Sequence, residues 1–228
     1  MSKTKRALLI AAGVLSLALV TFVVSARRFI FPEKLNVVSI ASAAEYQDPA
    51  RMKRAMALPV AARYEAGAIA FQTNGSLCGP TSIANVLRSL DQAGVLAPQI
   101  IEGTGKCRMG VCFGGITLDE LADMAREKTK RKVTVLRDLT AEEFRGHVTK
   151  SNSPDRRYVI NFDRGPLFGK RTGHHSPIGG YLEGEDLVLV IDVNEKYKPW
   201  LVRTDRLYEA MNTVDPSAEK KRGLLLIE

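Results

Sequence analysis

Gln72, Cys78, the pair His174-His175 and Asp192 are the residues of this chain whose types and order could carry out nucleophilic chemistry. In FQTNGSLCGPTSIANVL, residues 71–87, the cysteine stands between a glycine-bearing loop and the first turn of a predicted helix. A thiol at that position feels about half a unit of positive charge from the helix macrodipole, which favours thiolate. A histidine supplies the base. An aspartate opposite it can accept the Nδ1 proton and leave Nε2 to face the thiol. Gln72, six residues before Cys78, is near enough for its side-chain amide to join the Cys78 backbone N–H as an oxyanion hole. Singly, each residue has a plainer reading: a small buried hydrophobe, a satisfied core histidine, a loop glutamine. Together and in this order they supply a thiol nucleophile with its base, its orienter and an oxyanion donor.

The elements that must position these groups are legible from periodicity. After Cys78, the residues Ile83, Val86, Leu87 and Leu90 follow the i, i+3, i+4, i+7 rule of a helix with one buried face. Thr117 with Glu120, and Thr140 with Glu143, have capping-box spacing and open two further helices; His147 falls in the second and has a structural reading. KVTVL, RYVINF, HSPIGGYL, DLVLVIDV and RGLLLI read as strands bounded by Gly, Asp and Pro. Helices first and strands late argue for an α+β fold with an antiparallel sheet. A hairpin centred near Glu183 sets His174 opposite Asp192, with Cβ atoms about 5 Å apart; a one-residue slip would substitute His175.

The chain has 228 residues, 45% hydrophobic and 25% charged, enough for one catalytic-sized domain with an N-terminal addition. Its net charge of +8 is unevenly placed, because residues 1–28 hold five bases and no acids while the rest has 28 bases against 25 acids. No basic stripe with interleaved aromatics remains, which excludes nucleic acid as a partner. Residues 7–26 are twenty uncharged residues flanked by Arg6 and Arg27, a length that just covers a hydrocarbon core of about 30 Å. Residues 1–28 are read as a membrane anchor in preference to a cleaved signal, although Val24-Ser25-Ala26 and Ala41-Ser42-Ala43 offer cleavage patterns. Residues 29–57 read as a linker and 58–228 as the catalytic domain. Export follows either way: the domain faces the periplasm from the inner membrane, or is released there if the segment is cut.

QTNGSLCGPTSIANVLRSL, GITLDEL, TGHHSPIGGY, LVIDVNEKYKPW and LYEAMNTVDPSAEKKRG together resemble the catalytic domain of phytochelatin synthases, particularly the half-length bacterial members. The resemblance runs from about Phe71 to the C-terminus. It implies a papain-like fold in which a helical part carries the cysteine and an antiparallel sheet carries histidine and aspartate. It implies Cys78 as nucleophile, His174 as base and acid, Asp192 as its orienter and Gln72 as oxyanion donor, while His175 falls where the family is often apolar. Glutathione is the implied substrate. Asp215 and Arg222 match positions that hold the γ-glutamyl ammonium and carboxylate, and Gly173 would let the substrate backbone approach closely. No cofactor is required for that chemistry; cadmium or zinc would stimulate it as a glutathione thiolate complex. The oligomeric state stays open, a homodimer being one option.

Two departures bear on the expected outcome. The stretch after Asp192 is NEKYKPW, altered and a residue shorter than the family's, and the chain ends directly after the catalytic domain, without the Cys-rich region of the plant enzymes. Deglycylation is therefore expected above polymer synthesis. Cys107 and Cys112 fit a disulfide best in an exported domain, with two free thiols or half a metal site as alternatives. Two other functions stay open: an exported papain-like peptidase cleaving a peptide, and a non-enzymatic, membrane-anchored scavenger of metal or thiols.

Overall fold

The computed structural model describes residues 5–6, 13–16, 20, 23 and 33–228 other than 91 and 93. The expected membrane span, 7–26, lies for the most part outside the described residues. Among the described residues no helix is long and apolar enough to cross a membrane.

Ahead of the first strand, the described residues from 33 on form the α-helices α1 (Pro49–Met56), α2 (Pro59–Ala66), α3 (Cys78–Ser89), α4 (Ala97–Ile101) and α5 (Leu118–Lys128). Then β1 (Val133–Arg137), α6 (Ala141–Lys150), β2 (Arg157–Asp163), α7 (Gly165–Phe168), β3 (Gly173–Leu182), β4 (Leu187–Val190), β5 (Trp200–Arg203), α8 (Thr204–Met211), β6 (Val214–Asp215), β7 (Lys220–Lys221) and β8 (Gly223–Ile227) follow. Strands β1, β8, β2, β3, β4 and β5 form one sheet in that order, every neighbour antiparallel. The α+β class with an antiparallel sheet is thus the observed one. Both capping boxes form: Thr117 and Glu120 close the start of α5, Thr140 and Glu143 that of α6.

Because strand side chains alternate between faces, the sheet separates two cores. Val159, Leu189 and Leu225 face the early helices, packing with Ile83, Leu87 and Leu121. Ile160, Val190, Trp200 and Leu224 face the other way, with Phe144, Val148 and Leu207. Helix α3 lies so deep that all of it except Arg88 is buried, where its periodicity predicts only one buried face.

Residues 33–57 form no free linker. Asp48 caps α1 by accepting from the Arg51 N–H, Ala55 of α1 is wholly buried, and Ile40 enters the second core. Leu35 donates its N–H to the Gly169 carbonyl, and Glu33 accepts from the Arg171 N–H. The sequence carries Pro49 after Asp48, a helix-start signal, but the packing partners lie far along the chain and give no local sign.

Candidate active site

Cys78 is the first residue of α3 and the free thiol among the described cysteines, buried with 8% of its surface exposed. Leu77 before it offers no side-chain cap, so the first-turn N–H groups keep their positive field for the thiol. A Cβ on its neighbour Gly79 would stand 3.0 Å from Leu121 Cδ1, so a larger residue there would press on that leucine. Burial pushes the Cys78 thiol up. Its interactions with the imidazoles of His174 and His175, hydrogen bonding and charge alike, outweigh burial and hold it well below the ordinary thiol range.

The two imidazoles occupy successive positions at the start of β3 and therefore belong to opposite faces of the sheet. His174 pairs in register with Phe162 and stacks edge-on against its ring; His175 pairs with Asn161. His174 Nε2 lies 3.0 Å from Asp192 Oδ1. Burial and the Arg164 charge push His174 down, but the Asp192 carboxylate and the Cys78 thiol raise it above the ordinary imidazole value. A depressed thiol beside a raised imidazole favours the charged form of each. Here the arrangement differs from the expected one, because Nε2 rather than Nδ1 faces Asp192 and Nδ1 is the nitrogen left on the other side of the ring.

Asp192 and His174 meet, though not as directly opposed residues. From Leu182↔Leu187 the ladder runs to Gly180↔Leu189, shifts at a bulge, and resumes at Ile178↔Val190, so that Asp192 lies beyond the end of β4. The turn holds a 3-10 segment at Glu183–Glu185 and a left-handed Asp186, which lengthens the loop assumed by the simple hairpin. The bulge explains the glycine pair of the strand: Gly180 has φ +151°, and a Cβ on Gly179 would stand 2.8 Å from Ile191 Cδ1.

Three groups around Asp192 were not foreseen from the sequence. Arg164 Nη2 donates to Oδ1 at 2.9 Å and to Oδ2 at 2.7 Å, Trp200 Nε1 donates to Oδ2 at 2.8 Å, and the Asn194 N–H donates to Oδ1 at 2.9 Å. Burial pushes Asp192 up, yet its contacts with His174, Arg164 and Trp200 hold it well below the usual carboxylate range. The Arg164 guanidinium lies over the Tyr197 ring, 3.9 Å from its centroid, with Phe162 and Phe168 also around it. DRG at the end of β2 and the lone tryptophan were the available signals, both too short to specify a partner.

Asp215 and Arg222 form an ion pair at 3.1 Å, and Arg222 is buried. The same nitrogen, Arg222 Nη1, donates to Asn161 Oδ1 at 2.7 Å. A Cβ on Gly173 would stand 2.9 Å from Arg222 Nη1 and 3.0 Å from Nη2. The space beside Gly173 is therefore filled by the guanidinium, where close approach of the substrate backbone was expected. Arg222 Nε is buried without a hydrogen-bond partner.

Gln72 donates its backbone N–H to the Val193 carbonyl, one residue past Asp192, at 2.8 Å. Its Nε2 donates to the Asn74 carbonyl at 3.0 Å, leaving a second amide hydrogen, and its Oε1 is buried and unpartnered. Cys107 and Cys112 are joined in a disulfide. Cys112 N–H donates to Ser76 Oγ at 3.0 Å and Asn74 Nδ2 to the Gly110 carbonyl at 3.0 Å, so the disulfide loop braces the segment between Gln72 and Cys78. His147 bonds the Tyr158 hydroxyl at 3.2 Å, away from this site, as a structural residue.

A buried thiol at a helix start, an imidazole on a facing sheet and a carboxylate that orients it define a papain-like cysteine centre. Residues 36–224 match the family model described as Phytochelatin synthase, and the chain belongs to that family. It is similar to glutathione gamma-glutamylcysteinyltransferase 1 of Triticum aestivum, 35% identical over 116 residues that make 50% of this chain and 23% of that protein. The same-named protein of Arabidopsis thaliana is 41% identical over 90 residues, 39% of this chain and 19% of that protein. The glutathione gamma-glutamylcysteinyltransferase of Schizosaccharomyces pombe is 32% identical over 117 residues, 50% of this chain and 28% of that protein. The matched segment thus spans about a fifth to a quarter of these relatives. Among solved structures, the peptidase domain of Streptococcus ComA aligns at TM-score 0.47 and 14% identity, covering 69% of this chain and 93% of that one. A C39-like peptidase from Bacillus anthracis aligns at TM-score 0.48 and 14% identity, covering 71% and 96%.

Proposed function

We propose that the protein is a glutathione-directed thiol acyltransferase and peptidase. Cys78 thiolate attacks the carbonyl of the Cys-Gly bond, with the Cys78 N–H and Gln72 Nε2 receiving the oxyanion. As the C–N bond breaks, the His174 imidazolium passes its Nδ1 proton to the departing glycine amine, and a γ-glutamylcysteinyl thioester remains on Cys78. Neutral His174 then takes a proton from water or from the amino group of a second glutathione. The attack expels Cys78 as thiolate, giving γ-glutamylcysteine in the first case and a phytochelatin in the second. Asp192 orients the imidazole throughout.

The observation that carries this reading is the Asp215–Arg222 pair, linked through Asn161 to the histidine strand, in a chain of this family. A γ-glutamyl end bears an ammonium and a carboxylate, and an acid beside an arginine is the complement of both. The three convergent donors on Asp192 support its role as a permanently ionised orienter. Among the described residues no cluster of three or more His, Cys, Asp or Glu could hold a metal; in this proposal cadmium or zinc arrives on the substrate thiols. Residues 1–28 tether the domain to the membrane, on its periplasmic side.

The test is to incubate the full chain with glutathione, with and without cadmium, and identify the products by mass spectrometry. Glycine release that is lost in Cys78→Ser supports the proposal, and the ratio of γ-glutamylcysteine to longer thiol peptides reads water against a second glutathione. No glycine release under either condition overturns it.

A further inference from the structure

We infer that His175 is a second catalytic residue, a neutral N–H donor to the Cys78 sulfur that Asn161 and Arg222 lock into one tautomer. His175 Nδ1 stands 3.8 Å from Cys78 Sγ, and its Nε2 stands 2.5 Å from Asn161 Nδ2. What each atom carries follows from the far end of the chain. A guanidinium has donors only, so Arg222 Nη1 at 2.7 Å fixes the oxygen of the Asn161 amide toward itself. The amide nitrogen is thereby turned to His175, and an amide nitrogen donates. Nε2 must then present its lone pair, which puts the ring proton on Nδ1, aimed at the sulfur.

This separates two imidazoles that adjoin in sequence. His174 faces a carboxylate through Nε2, so the charged ring is favoured and its Nδ1 proton can leave and return. His175 faces an amide whose orientation is set by a cation. Taking a second proton at Nε2 would set N–H against N–H with the Arg222 charge behind it. His175 therefore moves no proton; it holds the thiolate while His174 exchanges one. The charged groups facing this arrangement are His174, Arg222 and, through Arg222, Asp215, Asp163 and Arg171. Ser82 Oγ stands 2.7 Å from the Cys78 carbonyl and 3.1 Å from the His175 carbonyl, its single proton shared between the two. Nucleophile and donor are thus tied by main chain as well as side chain.

The inference rests on Cys78 being the nucleophile, and both measurements are made without glutathione, so failure of turnover on glutathione leaves them readable. In the full native chain with ¹⁵N-labelled histidine, long-range ¹⁵N–¹H spectra report the protonated nitrogen of each ring. His175 is expected with a bare Nε2 and a protonated Nδ1. A protonated Nε2 near neutrality, in either tautomer or imidazolium form, overturns the inference. Second, the pH profile of Cys78 alkylation by iodoacetamide is compared with that of His175→Phe. Loss of the donor should move the acid limb up by about one unit, seen as an alkylation rate about tenfold lower at about pH 6. An unmoved limb in a folded variant makes His175 a packing residue. Should that variant not fold, the spectra of the native chain decide.

Discussion

Arg164 holds both oxygens of Asp192, at 2.9 and 2.7 Å from one nitrogen, while Asp192 orients His174 at 3.0 Å. The carboxylate is thus shared between a buried guanidinium and a buried imidazole. Asp192→Asn keeps the shape and removes the charge. It should lower kcat/KM for glycine release by about 10²–10⁴, by analogy with loss of the orienting carboxylate in a triad. It also leaves the Arg164 charge buried and unpaired, a loss of about 3–5 kcal/mol in urea unfolding. An active, fully stable variant would show that the pair is ornamental to both fold and chemistry.

The pH dependence follows from the directions of the two shifts. Cys78 is held low and His174 is raised, so the ion pair forms as pH rises through the depressed thiol value and is lost as pH rises through the imidazolium value. Alkylation of Cys78 should therefore begin well on the acid side of an ordinary thiol, whose pKa is about 8.5. His174→Ala should move that limb toward the ordinary value and abolish glycine release. For stability, the raised His174 contributes fully below its unfolded pKa and loses that contribution as pH rises through the folded one.

Much of this site is legible in the sequence because its parts follow local rules. Cys78 announces a helix start through the spacing of Ile83, Val86 and Leu87, and Thr117 and Thr140 announce theirs through reciprocal caps. The strands show as aliphatic and β-branched runs. What stays hidden is tertiary. Nothing near Arg164 in sequence says that its partner is Asp192, and nothing near Asn161 says that an arginine sixty-one residues on will choose which way its amide points. The bulge at Gly179-Gly180 displaced the hairpin register, which alternation alone cannot reveal.

Gly173→Ala places a methyl group where Arg222 now lies, 2.9 Å from Nη1. The flexible arginine should be displaced rather than the strand, because Gly173 is exposed at the strand start. The expected result is a rise of about tenfold in KM for glutathione, about 1.4 kcal/mol, with little change in unfolding midpoint. Unchanged KM would separate Arg222 from substrate binding.

Reducing the Cys107–Cys112 disulfide opens a loop of six residues, worth about 2 kcal/mol by chain entropy. Because Cys112 and Gly110 bond Ser76 and Asn74, hydrogen exchange should quicken over residues 72–77 in the reduced protein and glycine release should slow. Identical exchange in both redox states would mean that the loop does not brace the site.

Ile40 carries the early segment into the second core at 4% exposure. Ile40→Ala should cost about 2–4 kcal/mol in urea unfolding, whereas a detached linker would lose nothing.

The partition of the interior by the sheet has a consequence for how such a site can change over time. His174 leans on Phe162, in the layer of Trp200, while His175 leans on Asn161 and α3 in the opposite layer. On the proposed reading, drift in the Phe162 layer acts on the thiol through His174 and on proton delivery with it, whereas drift in the Asn161 layer acts on the thiol through His175 alone. Descendants of this chain therefore have two separate places at which to adjust one sulfur.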